Sequence, residues 1–163
     1  MIETFGATFF GVITSFSLWY LGTWFVQYRS DKQARASILI EIKEEIQLNI
    51  AVLDSHISGI PNVLKKGEIP GALSGRLGLA VYHYAINSGQ LRLLSTQQRL
   101  TLTVVARLSE AANEFINNTE TLLNIWHLKP QDQALRLANH RLSNLVESLQ
   151  DKRKHLQAAL DSL

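Results

Sequence analysis

The sequence predicts an all-α protein, with one N-terminal transmembrane helix continuing into a cytoplasmic helical bundle of about four helices. Three observations carry this expectation. A run without charge, FGATFFGVITSFSLWYLGTWFV, covers residues 5–26. Downstream, apolar residues recur at spacings of three and four, the period of a helix with one buried face. No stretch alternates apolar and polar residues convincingly, so no strand is expected.

As a helix rising about 1.5 Å per residue, the run would measure roughly 33 Å, against about 30 Å for a hydrocarbon core. A cleaved signal peptide fits it poorly. Only Glu3 is charged ahead of it, and aromatics crowd its end where small residues would mark a cleavage site. A buried core helix rarely stays uncharged for so long. Arg29, Lys32 and Arg35 follow the run and no Lys or Arg precedes it. The positive-inside bias therefore places the chain in the inner membrane, N-terminus outside and C-terminus in the cytoplasm. Trp19, Tyr20, Trp24, Phe25 and Tyr28 gather at the basic end, as an interfacial aromatic belt would. The expected division is an anchor at 1–29 and a bundle at 30–163. Within the anchor, Ala7, Gly11 and Ser15 stand four apart and Gly22 seven further on. Small side chains let helix backbones approach, so these residues form a candidate seam for self-association around a pore; the alternative is small residues with nothing packed on them.

The 163 residues leave about 130 outside the anchor, enough for one domain. Hydrophobic content of 46% against 18% charged permits a packed core and argues against wholesale disorder. A net charge of +2 is too small to imply nucleic acid by itself. With no cysteine, disulfides, thiolate chemistry and zinc-finger ligation are excluded.

The elements follow in order. Leu39, Ile42, Ile46, Ile50, Leu53, Ile57 and Ile60 form an a/d-type seam on a helix continuous with the anchor. Asn49 lies beside that seam. It either fixes register and oligomer state or bonds a nearby loop backbone. Residues 59–71, with Pro61 and Pro70, read as a loop. Ala72–Ser88 reads as a helix closed by Gly89. Ser95 and Gln98 make a capping-box pattern for the next helix, whose expected buried stripe is Leu100, Val104, Leu108, Ala111, Phe115, Leu122 and Trp126. Pro130 suits the start of the last helix, with Leu135, Ala138, Leu142, Leu145, Leu149, Leu156, Ala159 and Leu163 on its buried track. The short link at 127–130 predicts an antiparallel hairpin of these two helices.

Little of the sequence suggests chemistry. The glycines near 67–78 follow no strand and precede no GK[ST], so they do not make a P-loop. His56, His83, His127, His140 and His155 fall in no metal-ligand spacing, and neither metal nor cofactor is expected. No nucleophile elbow is present. Lys152, Arg153, Lys154 and His155 form the densest basic run; a solvated helix end is its first reading, RNA or anionic lipid its second.

Arg76 and His83, separated by six residues, resemble the R-x4-6-H signature of HEPN domains, which are helical bundles and often ribonucleases. The resemblance implies that Arg76 would stabilise a scissile phosphate and His83 would transfer protons. Leu77 departs from it, since a polar residue often follows the arginine. The whole layout is also similar to small single-pass prokaryotic membrane proteins. An LxxEIxxNxxxL-like stretch runs from Leu39 through Glu41, Glu45 and Asn49 to Leu53, and YxxAINSGxLxxL runs from Tyr82 to Leu94. Among such proteins it resembles the membrane-anchored accessory protein of type VI-B CRISPR systems. That resemblance implies an oligomeric pore in antiphage defence. The expectation is then a non-enzymatic pore-forming homo-oligomer with the membrane as partner; the alternatives are a tethered HEPN-like ribonuclease, with Arg76 and His83 catalytic, and an adaptor for a cytoplasmic protein. Nucleic acid as a partner is left open.

Overall fold

Apolar residues at helical spacing from Ile38 to Ile60, with no proline before Pro61, specify one long helix. In a computed structural model, α1 runs from Ile2 to Lys65, 64 residues or about 96 Å. The structure describes residues 2–163 except 71, 127 and 129, and gives the backbone alone at 2–13 and 131. After α1 come α2 (Ala80–Asn87), a 3-10 turn at Gln90–Leu93, α3 (Thr96–Trp126) and α4 (Gln131–Asp161).

The core forms where α4 lies against both α1 and α3. From α1 it takes Ile38, Ile42, Ile46, Ile50, Leu53 and Ile60; from α4, Ala138, Leu142, Leu145, Leu149 and Leu156. These are largely the residues the spacing predicts, and the antiparallel α3–α4 hairpin forms as expected. Ser95 caps α3 reciprocally. Its Oγ accepts the Gln98 N–H at 3.2 Å, and its own N–H donates to Gln98 Oε1 at 3.0 Å. Gly89 follows α2 in the left-handed region at φ 69°, the expected cap geometry.

Three element boundaries and faces differ from expectation. α1 does not stop at Gly59 but continues through Pro61. Ile60 and Leu64 pack the last turns onto the core, offsetting the hydrogen bond to the Ile57 carbonyl that Pro61 cannot donate. The helix expected at 72–88 begins only at Ala80, leaving 72–79 without helix or strand. On α3 the buried face is rotated one residue from the expected stripe. Thr101, Leu102, Val105, Ala106, Ser109, Ala112, Ile116, Thr119 and Leu123 are buried, whereas Leu100 and Val104 are 57% and 52% exposed. Thr101, Ser109 and Thr119 on the inner face disguise it from a reading based on hydrophobicity.

The largest correction concerns the N-terminus. Among the described residues no helix is long and apolar enough to cross a membrane. The expected transmembrane helix, its inner-membrane topology and the single-pass layout are therefore not supported. Side chains 5–13 of the expected span, with Ala7 and Gly11 among them, lie outside the described residues. In the remainder, lack of charge is a poor proxy for apolarity. Thr14, Ser15, Ser17, Tyr20, Gly22 and Thr23 interrupt the run, and hydroxyls lose hydration in hydrocarbon. What the structure shows is an arm of α1, exposed from residue 14 to residue 30. The aromatics expected as an interfacial belt lie along it, with Trp24 stacked on Tyr28 at 5.6 Å between ring centroids.

Two substitutions separate the observed α3 face from the expected one. Leu102→Ala should lower stability by about 2–5 kcal/mol, and Leu100→Ala by less than about 0.5 kcal/mol, in chemical denaturation. Ser95→Ala should cost about 1 kcal/mol by the same measurement, since the Gln98 N–H loses the hydroxyl that accepts it.

Candidate functional site

Residues 72–79 have no ladder or helix to satisfy their backbone, yet Leu73 and Leu77 are buried. Their peptide groups therefore need partners from side chains. Two asparagines supply them. Asn113 on α3 accepts the Leu77 N–H at 2.8 Å and donates to the Leu77 carbonyl at 3.0 Å. Asn49 on α1 accepts the Gly78 N–H at 2.6 Å and donates to the Gly78 carbonyl at 3.0 Å. One amide can reach both groups of a residue only where they point the same way, as they do in an extended chain. Consecutive residues then face opposite edges, which is why one is held from α3 and the next from α1. Asn49 Nδ2 also reaches Ser109 Oγ at 3.3 Å, joining the two walls beneath the segment.

The rest of the segment, here called the strap, is held in the same manner. His56 Nε2 lies 3.2 Å from the Gly75 carbonyl, so that nitrogen carries the proton. Arg76 spans the strap and α3. Its Nε donates to Asn117 Oδ1 at 2.8 Å and its Nη2 pairs with Glu120, while Nη1 braces the Leu73 and Gly75 carbonyls. Glu45 accepts the Val81 N–H at 3.1 Å and so caps α2 from another helix. Two glycines fit the strap to the walls. Gly75 sits at φ +94°, and a Cβ on Gly78 would come within 3.2 Å of Glu45 Oε1. Beside the strap, Glu41, Glu44, Glu45, Leu48 and Val52 line an open cleft of about 380 Å³.

The expected site residues scatter. Asn49 takes the second of its two expected roles, bonding loop backbone. Arg76 is committed to Glu120 and Asn117, and His83 is exposed with its ring edge-on to Tyr82. With Arg76 spent on α3 and the strap, nothing supports the HEPN-like ribonuclease reading, which is corrected. Ser15 and Gly22 are exposed, and a Cβ on Gly22 would meet nothing within 4 Å. Of the basic run, Arg153 is paired with Asp54, whose hydrogen bond and charge raise the guanidinium pKa. Lys152 bonds Ser148. His127 lies outside the described residues, and among those described no three His, Asp or Glu side chains are placed to hold a metal.

No known protein family, curated protein or solved structure matches the chain. The resemblance to the CRISPR accessory protein and to small single-pass membrane proteins is thus not upheld, and pore formation in antiphage defence is not supported. The expected partners are corrected with it. The membrane as a partner loses its support with the span, and the homo-oligomer seam, the nucleic-acid surface and the tethered adaptor find none.

Spacing alone held a signal for the site. Ser109, Asn113, Asn117 and Glu120 on α3, and Glu45, Asn49, Val52 and His56 on α1, are two mostly polar tracks at intervals of three and four. Each runs beside a buried stripe, where a helix meets something other than water or an apolar neighbour.

Asn49→Ala strips three hydrogen-bonding groups of their partner and should lower stability by about 1–3 kcal/mol in chemical denaturation. His83→Ala should stay within about 0.5 kcal/mol of the parent by the same measurement.

Proposed function

We propose that the chain is a non-catalytic helical clamp for extended polypeptide. Its groove lies between α1 and α3, and residues 72–79 occupy it. The observation that carries this reading is the pair of two-way amide contacts at Leu77 and Gly78. These contacts address the main chain, so they serve a segment that can lie extended at those two residues, as an added strand is held by a sheet edge. The buried positions of Leu73 and Leu77 supply apolar anchoring, and Asn117 with Glu120 supplies a seat for a basic side chain. A non-enzymatic role is consistent with where the polar groups are spent: Asn49, His56, Arg76 and Asn113 are all engaged in holding backbone. The construction of the groove supports binding of a chain segment; its polar groups are not gathered around a point where a bond could be broken.

Selection from a displayed library of random octapeptides against the full chain tests this. Enriched peptides should lose binding by about tenfold or more to the Asn49→Ala and Asn113→Ala variants, each the loss of a hydrogen-bonded pair in a half-buried groove. Enrichment of no peptide, or of peptides indifferent to both asparagines, would overturn the reading.

A further inference from the structure

We infer that the strap is an exchangeable internal ligand, and that its own sequence states the groove's preferred occupant: a peptide of the pattern Leu-x-Gly-Arg-Leu-Gly, turned at its first glycine and extended at its last two residues. This rests on the clamp reading above and adds to it a ligand class and a mode of self-inhibition.

Each position of the pattern has a physical cause. Leu73 and Leu77 are 4% exposed and enter the core from the strap. Gly75 adopts a φ of +94° that L side chains rarely take. Arg76 meets a carboxylate and an amide on α3 as well as two strap carbonyls. A Cβ on Gly78 would come within 3.2 Å of Glu45 Oε1, so the Glu45 side chain would have to give way by a few tenths of an ångström. Ser74, by contrast, is exposed and unconstrained. The glutamates lining the neighbouring cleft extend the same preference for a cationic segment.

Departure of the strap leaves one part of the packing untouched. The contacts of α4 with α1 and with α3 do not pass through it. At its root, Gly67 at φ 71° closes the turn after α1, a position where glycine permits reorientation. A peptide in solution competes with a tethered segment at high effective concentration. The groove therefore accepts an outside ligand only in the fraction of molecules whose strap is out.

Gly75→Ala tests the idea, because it strains the strap and leaves every groove side chain in place. The labelled peptide ALSGRLGL, residues 72–79, is titrated against the full-length chain by fluorescence anisotropy. It should bind the Gly75→Ala chain about tenfold or more tightly than the parent, in proportion to the strap-free fraction. Binding should disappear for a peptide with Glu in place of its arginine, and for the chain that also carries Asn113→Ala. Equal affinity for both chains, or no binding to a folded Gly75→Ala chain, overturns the inference. Should circular dichroism show that variant unfolded, hydrogen exchange on the parent decides. The Leu77 and Gly78 amides should exchange about tenfold or more faster than those of Leu102 and Leu145, through local opening. Exchange at the rate of those core amides overturns it. If the library yields asparagine-dependent peptides unlike the strap, this inference fails while the clamp stands; if it yields none, both fail.

Discussion

A stretch of backbone without helix or sheet carries two buried leucines in this protein, and the structure depends on how its peptide groups are satisfied. An unpaired buried N–H or C=O costs about 1–3 kcal/mol. The strap brings Leu73 and Leu77 into the core, so it must bring their amides with them. Asn49 and Asn113 resolve the conflict by offering a donor and an acceptor on one planar group, the same pair a neighbouring strand would present. Among the described residues no buried side-chain nitrogen or oxygen is left without a partner.

This requirement explains the division of labour among the helices. α4 presents an almost wholly apolar inner face and is gripped by α1 and α3 through packing. α1 and α3 touch each other little, and the strap fills part of the space between them. Their facing sides are therefore polar where α4 is not, and Arg141 closes the α3–α4 contact from outside by bonding Thr119 and lying 4.2 Å over the Phe115 ring.

The fold class was readable because most helices announce themselves by apolar spacing. The track from Ala138 to Leu156 and the capping box at Ser95 are local signals, and they correspond to what is found. The strap was harder. Ala72–Leu79 carries enough leucine to resemble a helix, and its glycines at 71, 75 and 78 were the contrary sign. The inner face of α3 was misplaced because Thr101, Ser109 and Thr119 are buried with satisfied hydroxyls. Of the expected anchor, side chains 5–13 lie outside the described residues, and among those described no helix is long and apolar enough to cross a membrane. Asn49 could be marked as special from its place beside the seam. Its partner, 29 residues on, is fixed only by tertiary packing.

The same helix that forms one wall of the groove extends unbroken into the exposed arm. From Ile38 back to Ile2 the arm is about 54 Å of α-helix. That makes it a mechanical pointer: a tilt of α1 by about 5°, as the groove widens or narrows, carries the far tip through roughly 5 Å on the same rise per residue. Motion too slight to see at Asn49 is thus displayed, magnified, at the opposite end of the molecule.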